Sequence, residues 1–216
     1  MLQLCRQYQL IERFTIYGER HSGTNFLEHC ITQQFGLPLT YYFGFKHWFG
    51  FTKPEVISYH RNVLFIGIVR NPYDWLCAMY LAPHHVPLHT RHNFYKLLTN
   101  EWYSEDGKKR EILHDRNYKT KERYKNIFEL RKEKCYYLSQ IMPVIANNYI
   151  LISYDSFLKN HFNYLNIIGR RFNLKNIGEP PSVIPKTSAQ FNHEQKNLID
   201  SNLDWTIEES LGYFQR

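Results

Sequence analysis

The sequence predicts a single α/β domain: a three-layer α/β/α arrangement in which helices cover both faces of a central, mostly parallel sheet. Three observations predict it. Asn62-Val63-Leu64-Phe65-Ile66-Gly67-Ile68-Val69 and Tyr149-Ile150-Leu151-Ile152-Ser153-Tyr154 are almost continuously apolar, the pattern of strands covered on both faces. Phe14-Thr15-Ile16-Tyr17 is a shorter run rich in β-branched and aromatic residues. Between these runs lie stretches with helical spacing, and strands that alternate with helices pair in parallel through right-handed crossovers. With 216 residues, 43% of them apolar, the chain suits one domain with a sizeable core and is short for two. The expected division is a core over about residues 13–172, peripheral loops and helices over about 83–147, and terminal helices over about 190–213.

The stretch from Tyr17 to Leu27 organises the rest. It follows the Phe14–Tyr17 run and precedes Phe26, Leu27, Cys30 and Ile31, which share one helix face. Strand, tight loop and helix in that order set backbone N–H groups and a helix N-terminus against an anionic phosphate. Gly18-x-x-x-x-Gly23 has Walker A spacing, but Thr24-Asn25 stands where Lys-Ser or Lys-Thr is required. The lysine for the β- and γ-phosphates and the hydroxyl for magnesium are both missing. On spacing alone, a turn holding two glycines is an equal alternative.

The remaining elements follow in order. Leu39–Phe45 reads as a short β-rich run ending at Lys46-His47-Trp48. Pro72 suits the first turn of a helix over Tyr73–Tyr80. Residues 83–92 read as a loop, Phe94–Trp102 as a short helix, and Glu105-Asp106-Gly107 as a turn. Lys121–Ala146 has a long helical pattern that Pro143 kinks or ends. Asp155-Ser156 is suited to cap a helix carrying Phe157, Leu158, Phe162, Leu165 and Ile168 on one face. Glu179–Pro185 reads as an extended loop, and two helices are expected within Asn192–Asn202 and Trp205–Gly212.

The net charge of +7 favours an anionic partner: a nucleotide, a sulfated or phosphorylated substrate, nucleic acid or an acidic membrane. The excess sits between Lys108 and Lys134, readable as a solvated helix face with pairs such as Glu129–Lys132 or as a nucleic-acid surface with Tyr124, Tyr136 and Tyr137 interleaved. The four cysteines form no Cys-x-x-Cys pair, so reduced and mostly buried thiols are expected. Pro87 separates His85 from His89 in the His84–His92 loop, and no metal is expected there. No apolar run reaches the roughly 18 residues of a membrane span, and Met1–Arg6 lacks a signal-peptide core. A cytoplasmic location is expected, although a piece of a longer membrane-anchored enzyme would read the same.

Four of these segments resemble, in order, the sulfotransferases that use 3′-phosphoadenosine 5′-phosphosulfate (PAPS). Arg20-His21-Ser22-Gly23-Thr24-Asn25-Phe26 is similar to the family's Lys/Arg-Ser-Gly-Thr-Thr loop, and Val69-Arg70-Asn71-Pro72-Tyr73-Asp74 to its Arg-Asn-Pro segment. Lys46-His47 lies where many members carry Lys-Thr-His, and Ser153-Tyr154-Asp155 resembles a strand end reading Tyr-Glu-Asp. The resemblance spans about Phe14–Phe172 and implies a P-loop NTPase-like sulfotransferase fold, PAPS as co-substrate and no metal. It implies that Gly18, Arg20, His21, Ser22, Gly23, Thr24, Asn25 and Phe26 hold the 5′-phosphosulfate. Arg70 would grip the 3′-phosphate and Tyr154 would contact the adenine. His47 would be the base, with Arg20, Lys46 and His21 opposing developing charge. The acceptor would be a small-molecule or carbohydrate hydroxyl, met by residues 83–147.

The sequence departs from the pattern at three places. His21 replaces the basic residue before Ser-Gly-Thr, Asn25 replaces a second threonine, and Ala78 replaces the serine eight residues after the arginine. Glu19, a carboxylate beside a phosphate loop, is expected to pair with Arg20 or another cation. Two other classes stay open: a P-loop kinase or NTPase relative, and a catalytically inactive basic protein that binds nucleic acid.

Overall fold

The computed structural model describes residues 10–183 and 190–215. Among them three strands, β1 (Arg13–Tyr17), β2 (Val63–Val69) and β3 (Tyr149–Ser153), form a small parallel sheet in the order β1-β2-β3. Phe14 pairs with Leu64, and Ile66 with both Ile16 and Ile150. All seven residues of the central strand are buried, as its unbroken apolar run predicts.

Strand alternation divides the core into two layers. On one face Phe14, Ile16, Leu64, Ile66, Ile68 and Ile152 pack against Leu27, Cys30 and Ile31 of α1 (Thr24–Phe35). Phe157 of α7 (Tyr154–Lys159) and Leu165 and Ile168 of α8 (His161–Phe172) complete that layer. On the other face Tyr17, Val63, Phe65, Val69 and Tyr149 meet Ile57 of α2 (Pro54–Tyr59). Cys135 of α5 (Ile127–Tyr136) and Met142 of α6 (Met142–Ile145) lie in the same cluster. A third cluster stands apart from the sheet. It joins α3 (Pro72–Leu81), α4 (Phe94–Thr99), the first turn of α5 and α9 (His193–Asn202) around Trp75, Trp102 and Tyr124. The last helix, α10, covers Trp205–Ser210.

Several expected elements are reshaped. Leu39–Phe45 adds no strand; it contributes one parallel bridge, Leu39 to Phe14. Pro38 has no N–H to extend the ladder, and a turn closed by Gly44 N–H to Tyr41 O, 3.0 Å, takes the chain away. Phe94–Trp102 stops being helical at Thr99, because Trp102 bridges Tyr124. That bridge also keeps residues 121–126 out of the long helix, which starts after Asn126 caps Phe128 N–H and Glu129 N–H. Helical structure ends at Ile145, two residues after Pro143. A π-helical stretch, Tyr137–Ile141, precedes it, and the wider turn accommodates a residue that cannot donate to the preceding turn. The single helix expected after β3 is two, divided at Asn160, and Ser153 rather than Asp155 or Ser156 is the first cap. Phe162 consequently points outward, 55% exposed. Residues 179–183 carry no regular structure, and Pro185 lies outside the described residues, as does Cys5. Cys30, Cys77 and Cys135 are free thiols. Among the described residues no helix is long and apolar enough to cross a membrane.

Gly67 shows how the second face closes. The Tyr149 ring passes over it, and its hydroxyl donates to Leu138 O in the π turn at 2.7 Å. A Cβ on Gly67 would sit 2.2 Å from that hydroxyl oxygen and 2.8 Å from Leu151. Gly67→Ala should therefore lower stability by about 1–3 kcal/mol, the usual range for overpacking. The measurement is a drop in denaturant midpoint at unchanged slope.

Candidate functional site

β1 delivers the chain to the glycine loop, and the loop is held from below. Gly18 N–H donates to Lys46 O at 3.0 Å, and Gly18 O accepts the His47 Nδ1 hydrogen bond at 2.7 Å. His21 and Gly23 take left-handed conformations, with φ of 62° and 88°. Gly23 is required twice over: its φ favours glycine, and a Cβ there would meet the Tyr154 ring at 2.2 Å. Helix α1 then begins at Thr24 with no side-chain cap and no acidic residue in its first turn. Its first backbone bond is Leu27 N–H to Gly23 O, 3.0 Å, so the N–H groups of Thr24, Asn25 and Phe26 lie outside the helical ladder. This helix end opens on a cleft of about 570 Å³.

Gly23, Thr24, Asn25, Phe26, Lys46 and His47 line that cleft, together with His21 and Tyr154. Among the described residues no aspartate or glutamate lines it. Gly18, Ser22 and Arg70 do not reach its wall; Ser22 is buried beneath the loop and Arg70 behind it. Sequence reasoning did not single out His29, Phe45, Pro181 or Ser182, which also face the cleft. His29 was readable in principle, three and four residues after Phe26 and Asn25 on one helix face. His84 and His85, from the expected loop, complete a rim of five histidines with His21, His29 and His47.

Arg20 touches the cleft floor, but its guanidinium turns inward. It donates to Glu19 at 3.3 Å, to Asp115 at 2.6 Å and to the Ser104 hydroxyl at 2.8 Å. Lys134 joins the same cluster, 2.6 Å from Glu19 and 2.5 Å from Asp115. All four charged side chains are at most 8% exposed. Glu19 thus pairs with Arg20, as its position beside the loop implied, and with Lys134, which sequence reasoning left in the basic stretch. Burial alone would raise the Asp115 carboxyl; Arg20 and Lys134 outweigh it and hold the group below the ordinary carboxylate range.

Lys46 is the cation presented to the cleft. Its ammonium meets the Asn25 side-chain oxygen and Glu28, the latter at 3.3 Å. His21 is turned toward α3 and His84. Its Nε2 donates to Ala82 O at 2.8 Å, and its ring stacks on His84 at 5.2 Å. Arg70 donates from its terminal nitrogen to His21 O at 3.0 Å and lies over the Tyr154 ring at 5.3 Å. Its Nε is buried without a partner. Asn71 caps α3, and its own N–H donates to Asp155 at 2.8 Å. The Arg-Asn-Pro turn and the Tyr-Asp strand end are therefore one joined structure.

His47 has a defined tautomer. A carbonyl oxygen only accepts, so Nδ1 carries the proton bonded to Gly18 O, and Nε2 keeps its lone pair. Burial, then the Arg20 charge, lower the imidazole pKa to about 3, with Lys134 and Lys46 adding to the effect. It is neutral at pH 7.

Of the basic stretch, Arg131 and Lys134 are buried, and several of the others are paired at the surface. Arg116 and Arg123 pair with Glu111, Lys119 with Glu133, Lys132 with Asp204 and Arg131 with Glu208. Lys132 thus reaches Asp204 rather than Glu129, whose carboxylate accepts from Lys125 N–H. Among the described residues no group of three or more His, Cys, Asp or Glu is gathered to hold a metal.

The neutral His47 makes stability depend on pH with a definite sign. Its folded pKa of about 3 lies below the ordinary value of 6.5. Between those values the unfolded chain binds a proton that the folded chain does not, so this contribution is present above the unfolded pKa and is lost as pH falls. Stability of the wild type relative to His47→Gln should decline from about pH 6.5 downward, by at most about 1.4 kcal/mol per pH unit, in denaturant titrations at matched pH.

No protein-family model matches the chain, and neither the curated proteins nor the solved structures include a match.

Proposed function

We propose that this chain is a sulfotransferase that moves a sulfuryl group from PAPS to a hydroxyl acceptor. One observation carries the reading: an uncapped helix N-terminus and an imidazole with a free Nε2 lone pair share one cleft that no carboxylate lines among the described residues. The N–H groups of Thr24, Asn25 and Phe26 suit an anionic group because the helix end adds partial positive charge where no side chain competes. Arg70 is the residue proposed for a second phosphate on the resemblance; it lies behind the loop over the Tyr154 ring, with its Nε buried and unpartnered, and must turn toward the cleft to make that contact. Tyr154, packed between Gly23 and Arg70, offers a ring for a base.

When bound, PAPS supplies a sulfuryl group already activated by its link to phosphate. The residues then divide the remaining work. His47 Nε2 takes the acceptor proton as the new oxygen–sulfur bond forms. The loop N–H groups and Lys46 face the negative charge that grows on the departing phosphate oxygen. Lys46, whose ammonium lies at the cleft beside Asn25 and Glu28, is better placed for this task than Arg20, whose guanidinium turns inward to Glu19 and Asp115. An anion beside Thr24–Phe26 offsets Arg20, Lys134 and Lys46, the cations that depress His47, and so raises its basicity when the donor is in place. The side chains at Thr24-Asn25 lack the lysine of an NTP-hydrolysing loop, while the nucleic-acid alternative rests on the exposed part of residues 108–134, where Lys119, Arg123 and Lys132 are each paired with a carboxylate.

A thermal-shift panel tests the reading with 3′,5′-ADP, ATP with magnesium, and an oligonucleotide. The expected result is stabilisation by 3′,5′-ADP alone, about 2.7 kcal/mol at a hundredfold excess over Kd. Arg70→Ala should abolish that response. His47→Ala should keep it and remove turnover. No response to millimolar 3′,5′-ADP overturns the proposal.

A further inference from the structure

We propose that Lys134 is a positioning residue for His47, fixing the imidazole against the glycine loop. The catalytic meaning of this role rests on the sulfuryl-transfer reading, but the contacts themselves do not. Lys134 Nζ donates to Glu19 at 2.6 Å, to Asp115 at 2.5 Å and to the His47 carbonyl oxygen at 2.6 Å. Those are all the protons an ammonium has. The side chain is 2% exposed and lies over the Phe49 ring at 5.3 Å.

The bonds close a circuit. His47 Nδ1 meets Gly18 O, Gly18 is followed by Glu19, Glu19 meets Lys134, and Lys134 returns to the His47 carbonyl. Gly18 N–H to Lys46 O, 3.0 Å, adds a parallel strut. One bond on the backbone of His47 and one on its ring fix where Nε2 points. Charge neutrality alone explains only part of this. Glu19 and Asp115 are already bridged by Arg20, and a lysine that served only as their counter-ion would need no third bond to the backbone of the neighbouring segment. Lys134, Arg20 and Lys46 are also the charged groups that hold His47 neutral.

Removing Lys134 alone strands carboxylates in the interior, so the informative variants keep the charge balanced. Asp115→Asn/Lys134→Met leaves the Glu19–Arg20 pair, and Glu19→Gln/Lys134→Met leaves the Arg20–Asp115 pair; both delete the tether. The measurement is nitrogen NMR of the histidine rings across pH, which needs no substrate. In the wild type, His47 should be a fixed Nδ1–H tautomer that stays neutral below pH 5. In a folded double variant it should populate both tautomers and titrate at least one pH unit higher. Turnover should fall tenfold or more, since a small displacement of a reacting group has effects of that order, while Kd for 3′,5′-ADP stays within twofold.

A wild-type His47 without the fixed Nδ1–H form overturns the proposal, as does a folded double variant with wild-type tautomer and titration. Absence of 3′,5′-ADP binding in the wild type fails the sulfuryl-transfer reading instead, and leaves the ring measurement to decide what Lys134 holds.

Discussion

The structure depends on four charges placed where charges are expensive to place. Glu19, Arg20, Asp115 and Lys134 lie together in the interior with no net charge. Each carboxylate is shared by both cations, so desolvation is offset only while all four are present. Such clusters contribute little to stability compared with apolar packing, but removing one member leaves an uncompensated buried charge. The cluster joins chain segments far apart in sequence: the loop after β1, the neighbourhood of Ser104 and Asp115, and helix α5. It fixes the peripheral residues to the sheet at the point where the glycine loop turns. It also explains why an acidic residue can stand beside a glycine loop that opens on an uncapped helix end. Glu19 faces the cluster and is 7% exposed, so its charge is neutralised before it can repel an anion in the cleft.

The cleft is correspondingly one-sided. Its floor is neutral as a whole, and among the described residues its walls carry imidazoles, aromatic rings and Lys46 without carboxylates. On the proposed reading, selectivity for an anion would come from oriented N–H groups more than from net charge, and would be less sensitive to salt than a purely ionic surface.

Much of this was legible in the sequence, and the reasons differ by element. β2 could be read because its burial on both faces demands an unbroken apolar run. The glycine loop and the Asn71-Pro72 helix start could be read because their backbone geometry restricts residue type. Gly23 is the clearest case, with both its φ and the Tyr154 ring excluding a side chain. Residues 121–126 could not be read, because their helical spacing is overridden by a bridge to Trp102, and such pairing is invisible locally. Lys134 was hidden for a related reason. In sequence it is one basic residue among many; in space its partners lie 115, 87 and 19 positions away. Arg20 was placed in the right loop, but its direction was set by Asp115 and Ser104, which no loop motif contains.

The Arg-Asn-Pro turn is also held from the far side. Arg131 bonds the Arg70 carbonyl at 2.9 Å and is itself gripped by Glu208, while the Tyr213 hydroxyl reaches Val69 O and Asp155. Residues 208–213 follow all three strands in sequence, yet they complete the turn that ends the central one. Tyr213 also belongs to the apolar cluster on the second face of the sheet, with Ile207 and Leu211 packed against it. One short stretch of chain therefore seals the core and braces the turn behind the cleft, so neither can loosen without the other.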